Sequence, residues 1–543
     1  MRWTYLELGL GAAIVAFVGM FAIVPAGQLF AASVQEAGGA SGIARVLGDP
    51  VNQRSLENSF LQGGLSASLA VAVGYLPGVF LGRYRWPGRS AVRSLLLVPF
   101  LLPSLIVVLG VLDLFGPSGV ATRAVPALAV FGNGLPAIVA ANLLFNVPIV
   151  VLLTATGCEA SSSDLEETAA SLGGSPARVY QDTWAGPTWV GAAAGGLLTF
   201  VFSALSFAPP LLLCGAGSQR CYTVEARVWS LESTLLQPAD AGVLALVLLV
   251  LFLAPALAYL AMVRRIRPSP GLPASRSLPI PWRSPAVWAM VATTGAVLLS
   301  ESALLAAVLY RSLAPPGGGA LGASWARLFS PATGDRLGIT IAGAVGNTLL
   351  FAVGAAVVTL LVGIAGGFVA SRHRGFSLPL GLLLFVPLLL SPVVLAFGLA
   401  SLWRPFLGGE ANVWLLIVIS QSMLALPLAL QSVEIPLAGV PRAAAEAAES
   451  LGASRWGGFV DTELPRVRTG ILTASLFAMA VGLGEFTATY FLVTPTFTTV
   501  PVAIYDLTYV RLLPEADAAA GLLLAVSLAV YVVIVFGGRR VEL

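Results

Sequence analysis

The 543-residue chain is 57% apolar and 10% charged, with a mean hydropathy of +0.90 and a formal charge of +3. Soluble domains carry about a quarter charged residues, so this balance excludes one. The small net charge calls for no acidic partner and no nucleic acid. Runs such as LALVLLVLFLAPALAYLAMV reach the roughly 20 residues of a spanning helix, whereas a β-barrel would show short segments of alternating polarity. An all-α membrane protein is expected.

In chain order, twelve spans are predicted at about 8–30, 59–82, 92–112, 134–155, 188–213, 241–263, 285–310, 345–370, 377–402, 411–432, 469–493 and 517–537. The first is longer than the roughly 7 to 15 apolar residues of a signal peptide and reads as a retained helix. All 29 basic residues are Arg. With both termini cytoplasmic, 19 of them fall inside and 10 outside, including Arg83, Arg85, Arg89, Arg93, Arg264, Arg265, Arg267, Arg372, Arg374, Arg539 and Arg540 inside. That is the positive-inside pattern of a multi-pass protein of the cytoplasmic (inner) membrane, with lipid as its surroundings. Cys214 and Cys221 share one predicted external loop, where both a disulfide and two free, partly buried thiols fit. Cys158 is expected to pack near the cytoplasmic side.

The chain repeats itself. NSFLQGGLSASLAVAVGYLPGVFLGRYR from Asn58 matches NTLLFAVGAAVVTLLVGIAGGFVASRHR from Asn347, and LLLVPFLLPSLIVVLG matches LLLFVPLLLSPVVLAFG. The offset is about 289 residues early in each half and 279 later. An even number of spans between the copies keeps them on one face, which makes the duplication parallel rather than inverted. The predicted plan is a first six-helix half, 1–266, a Pro- and Ser-rich cytoplasmic linker, 267–284, and a second half, 285–543.

Each half carries one polar passage, LEETAASLGGSPARVYQDT from Leu165 and AAAEAAESLGASRWGGFVDT ending at Thr462. Apolar residues recur at helical spacing, Leu165, Ala169 and Leu172 in one and Ala444, Ala448 and Leu451 in the other, which predicts a short helix lying against the bundle. Gly173 or Gly452 then ends the helix, and Ser175 or Ser454 caps a second one, with Pro176 at its first position in the first copy. That second helix presents Tyr180 or Phe459 as an aromatic knob on a rigid protrusion.

EAAESLG followed by ELP resembles the EAA loop of ABC importer permeases. Glu446, Ala447, Ala448, Gly452 and Pro465 match that pattern, as do Glu167, Ala169 and Gly173 in the first copy, where Thr168 and a Pro187 one residue late depart from it. With GEFTATYFLV and TVPVAIYDL, the duplicated framework is similar to fused permeases of the ferric-iron and thiamine uptake type. The resemblance implies two parallel six-helix halves that move a small solute, thiamine or ferric iron, inward. It also implies an external solute-binding protein and two copies of a cytoplasmic ABC ATPase subunit, one per loop, which carry the ATP and Mg.

The chain itself is expected to hold no cofactor, metal or catalytic residue. Without Lys it cannot form a G-x-x-x-x-G-K-[ST] phosphate loop. One histidine, His373, cannot build a zinc site and is expected at the membrane interface or facing lipid. Glu485 lies within a span, where an ionisable group costs about 2.5 to 3.5 kcal/mol. It either lines the path with its repeat partner Ser206 or makes a hydrogen bond between helices. Glu301 is flanked by two serines that would satisfy it. Pro99, Pro103, Pro387 and Pro392 are expected to kink their helices without gating. An ion-coupled secondary transporter with twelve helices is the alternative, with Glu485 and Glu301 as coupling groups, and a non-transporting docking scaffold is a third reading.

Overall fold

The computed structural model describes residues 5–161, 163–214, 220–266, 278–314, 320–407, 412–438 and 442–540. Most of the proline-rich linker therefore lies outside the described residues. Ten helices are long and apolar enough to span a membrane, or up to twelve if each of two bent pairs is one span. The first half comprises α1 (Tyr5–Ala37), α2 (Pro50–Arg83), α3 (Arg89–Leu101), α4 (Ser104–Phe115), α5 (Gly134–Glu159), α6 (Ser163–Ser171), α7 (Ala185–Ala204), α8 (Ala208–Leu213) and α9 (Pro238–Arg265). The second comprises α10 (Pro285–Leu313), α11 (Ile341–Arg372), α12 (Arg374–Leu389), α13 (Pro392–Trp403), α14 (Val413–Ala438), α15 (Arg442–Ser450), α16 (Arg468–Gly484), α17 (Thr487–Leu492) and α18 (Leu513–Arg540).

Four of the predicted spans are broken. Proline has no N–H for the helix ladder and its ring clashes with the preceding turn. At Leu102-Pro103 the chain accordingly leaves α3 and restarts as α4, and between α12 and α13 it turns by 90°. Ser391 sits in that second break with φ +65°, accepts the Val394 N–H at 3.3 Å and donates to Glu225 of the other half at 2.9 Å. At Pro103 and Pro392 the chain breaks where the sequence predicts only a kink, whereas Pro99 and Pro387 lie inside continuous helices. The fifth span of each half also stops at matching points, after Ala204 and after Gly484, and resumes as α8 and α17.

The duplication extends to single hydrogen bonds. Asn58 Nδ2 donates to the carbonyls of Arg220 and Tyr222 at 2.9 and 3.1 Å, and Asn347 Nδ2 to those of Thr496 and Thr498, both at 3.0 Å. Next to them, Ser59 Oγ accepts the Val224 N–H and Thr348 Oγ1 the Val500 N–H, each at 2.9 Å. In both halves the same three helices pack as a unit, α2 with α5 and α7, and α11 with α14 and α16. The opening helices cross over. α1 packs on α11 and α13 of the second half, while α10 packs on α2 and α4 of the first.

Membrane helices approach closely where small residues line the contact, since lipid offers no hydrophobic drive to hold them together. Gly74, Gly78 and Gly82 face α5 at four-residue intervals, and a Cβ on Gly78 would stand 2.5 Å from Thr154 Cβ. Its counterpart Gly367 would meet Val433 Cγ1 at 2.8 Å. Gly78→Leu is expected to cost about 1–3 kcal/mol through overpacking. Thermal unfolding in detergent should therefore shift down for Gly78→Leu and much less for Gly64→Leu, whose Cβ meets nothing within 4 Å.

Candidate functional site

The two polar passages fold alike. α6 and α15 each end in a left-handed glycine, Gly173 at φ +82° and Gly452 at φ +94°. The Gly174 N–H returns to the Ala169 carbonyl at 3.1 Å and the Ala453 N–H to that of Ala448 at 3.0 Å, satisfying carbonyls that the helix end leaves open. Ser454 Oγ accepts the Gly457 N–H at 3.0 Å and Ser175 Oγ the Arg178 N–H at 3.4 Å, so both serines cap the next turn. Glu167, Glu446 and Ala447 are exposed, and Ala169 and Ala448 are half-buried.

Two expectations for these loops are reversed. The leucines of the apolar stripe do not lie against the bundle, since Leu165 is 60%, Leu172 82% and Leu451 91% exposed, while Ala169 and Ala448 are half-buried and the Ala444 side chain lies outside the described ones. The aromatic residues do not protrude. Phe459 is fully buried between Phe368 at 4.8 Å and Trp456 at 5.4 Å, and Tyr180 shares a 2.7 Å hydroxyl contact with Tyr75 while its ring meets Trp184 at 4.4 Å. Burial of the larger ring surfaces is satisfied inward, which leaves the leucines of the stripe outward.

What fastens each loop is an arginine read from the sequence only as positive-inside charge. Arg83, at the end of α2, forms a two-pronged ion pair with Glu166 and lies over the Trp184 ring at 4.7 Å. Its repeat counterpart Arg372, at the end of α11, bonds Glu463 at 2.9 Å and sits over Phe368 at 5.4 Å. The matched LGRYR and ASRHR segments carried this signal. Nearby, Arg89 and Arg93 hold Glu159 at 2.6 and 2.9 Å.

Both loops lie on one face. Tyr259, near the end of α9, donates to Gln431, near the end of α14, at 3.1 Å, and Leu278–Pro279 beyond α9 pairs with Tyr84–Arg85 beside the first loop. His373 Nε2 stands 3.1 Å from Glu7 Oε2, which brings the N-terminal helix to this face as well. His373 is thus turned into the bundle at the end of α11, which excludes the lipid-facing alternative and leaves the interfacial one. Cys158, at the loop-face end of α5, is buried beside Thr188, and on the opposite face Cys214 and Cys221 are disulfide-bonded with Cα atoms 5.7 Å apart.

Between the halves lies a cavity of about 250 Å³. Six phenylalanines line it, Phe100, Phe145, Phe202, Phe207, Phe477 and Phe486, together with Asn142, Asn146, Ser206 and Glu485. Phe207 and Phe486, which are repeat counterparts, stack across the halves at 5.9 Å. A second cavity of about 340 Å³, lined by Leu152, Pro436 and Thr469 toward the loop face, shares Phe100 and Phe477 with the first, and these two rings meet edge to face at 5.8 Å. Glu485 and Ser206 both line the central cavity. The Glu485 carboxylate accepts the N–H groups of Ala488 and Thr489 and the Thr489 hydroxyl, each at 2.7 Å. It caps the start of α17 within its own turn, so of the two roles read from the sequence the lining position is the one its placement fits. Ser206 Oγ accepts from Gln62 at 3.3 Å.

A duplicated helical bundle with a cavity at the junction of its halves and two matched loops on one face defines a transport permease. No protein-family model matches the chain. The thiamine transport system permease protein ThiP of Salmonella typhimurium is 26% identical over 466 residues, 82% of each chain. ModB, the molybdenum transport system permease protein of Escherichia coli, is 32% identical over 160 residues, 27% of this chain and 69% of its own. The molybdate/tungstate transport system permease protein WtpB of Thermococcus kodakarensis is 26% identical over 196 residues, 36% of this chain and 72% of its own. The chain belongs to the permease family of ABC importers and is a multi-pass permease subunit with two fused halves. Family membership removes the ion-coupled and scaffold alternatives, and such subunits act with an ATPase and a binding protein.

Arg372→Ala would leave buried Glu463 without its cation, at a cost of about 3–5 kcal/mol. Amide hydrogen exchange across 442–467 should accelerate in that variant and be partly restored by adding Glu463→Gln.

Proposed function

We propose that the chain is the membrane path of an ATP-driven importer of thiamine or a closely related aromatic organic cation. The carrying observation is the lining of the central cavity, where six phenylalanines surround the space and Glu485 is the single ionisable side chain among the described lining residues. Aromatic faces attract cations and stack with planar rings, at about 0.5–2 kcal/mol per cation–π contact. Thiamine offers both a cationic ring and a planar aminopyrimidine, and Asn142 and Asn146 supply amide groups for its polar edge. A molybdate-type dianion would instead need arginines or several converging N–H donors. The extent of similarity to the thiamine permease, over most of both chains, supports the same choice.

In this reading the loops and both termini face the cytoplasm, and the bonded cysteines face an oxidising exterior. Two ATPase copies, carrying ATP and Mg, dock one on each loop. The exposed Leu165, Leu172 and Leu451 provide the apolar contact, with Glu167 and Glu446 beside them. ATPase closure draws the loops together, and access alternates because closure differs in free energy between inward- and outward-open states.

Proteoliposomes holding the permease with its ATPase and binding protein should take up labelled thiamine only with ATP inside the ATPase compartment. Molybdate uptake in place of thiamine would overturn the substrate. Leu172→Glu and Leu451→Glu together should abolish co-purification of the ATPase while membrane insertion and thermal stability stay near wild type.

A further inference from the structure

A second site lies on the flank of the bundle, away from the central cavity. Glu301, on α10, is 4% exposed, and neither of its carboxyl oxygens has a hydrogen-bond partner among the described residues. Neither flanking serine satisfies it: Ser300 Oγ donates to the Val297 carbonyl at 2.8 Å, and Ser302 makes no bond to either carboxyl oxygen. Arg311, further along α10, is engaged with Asp113 at 3.7 Å and with Ser118. An ionisable side chain in a membrane span is costly and ordinarily marks a functional position.

Beside this carboxyl is a cavity of about 270 Å³ whose other lining is almost wholly apolar, including Val73 of α2, Leu144 and Val147 of α5, and Phe131. Val73, Phe131 and Ser300 are exposed on the bundle flank, so the cleft opens toward the bilayer. It is built across the seam of the two halves, with the carboxyl from one wall and the hydrocarbon from the other. An apolar slot ending in one unpaired acid fits a molecule with the complementary layout.

We propose that this cleft is a lateral binding site for a membrane-dissolved amphiphile, an apolar body bearing one hydrogen-bond-donating head such as a primary amine or an alcohol. The head pairs with Glu301 and the body fills the slot between α2, α5 and α10. Occupancy then braces the seam across which the halves move.

Dicyclohexylcarbodiimide in lipid nanodiscs holding the full chain provides the test. A protonated carboxyl adds across the reagent, its proton going to nitrogen and its oxygen to the central carbon, and acyl migration leaves a stable N-acylurea with no atom lost. Peptide mapping should find Glu301 labelled in wild type and unlabelled in Glu301→Gln. n-Octylamine or n-octanol, at ten times its dissociation constant, should slow labelling about tenfold by mass action, and n-octane should not. Protection by either donor-headed probe supports the site. Equal protection by octane, protection by none, or no labelling of Glu301 overturns it.

Discussion

The working geometry depends on one buried guanidinium at the loop-face end of each core helix. Arg83 and Arg372 tie the polar loops to α2 and α11, and withdrawing either cation would strand a carboxylate out of water. The loop and its helix therefore behave as one body. In the proposed reading, a push on either loop is passed to the end of α2 or α11 through that ion pair. The left-handed glycines contribute to the same end, since they close α6 and α15 with backbone hydrogen bonds and hold the leucine stripe away from the membrane helices.

The two halves reach this arrangement with different partners. Arg83 takes its carboxylate from the loop helix α6, whereas Arg372 takes it from Glu463, at the position where the first half has Trp184. Contacts on the opposite face, from Asn58 and Ser59 or Asn347 and Thr348, are preserved almost atom for atom. Because α1 and α10 each pack on the other half, neither half closes its own surface. The packing unit is therefore the two halves together, across the described residues.

The spans, the duplication and the two loops were legible because each is a property of run length, internal repetition or turn chemistry. The breaks at Pro103, Ser391, Ser206 and Glu485 were not, since hydropathy averages over a window and registers no backbone angle. Helical spacing correctly grouped Leu165, Ala169 and Leu172 on one face. It carries no information on whether that face meets the bundle or a partner, and the inward packing of buried Phe459 and half-buried Tyr180 decided it. Arg83 and Arg372 were visible as charges, but their role required knowing that Glu166 and Glu463 come within bonding distance, 83 and 91 residues along the chain.

A path for a charged solute has to admit it without holding it, so binding along the way must be favourable but shallow. A free carboxylate facing a low-dielectric cavity would act as a trap for the proposed cationic solute, because little water screens the attraction. Glu485 avoids this by spending its oxygens on three donors at the start of α17. What remains to greet a cation are the faces of Phe207, Phe486 and their neighbours, weak individually and spread around the cavity. In the proposed reading, tight recognition then falls to the external binding protein, and the permease contributes passage.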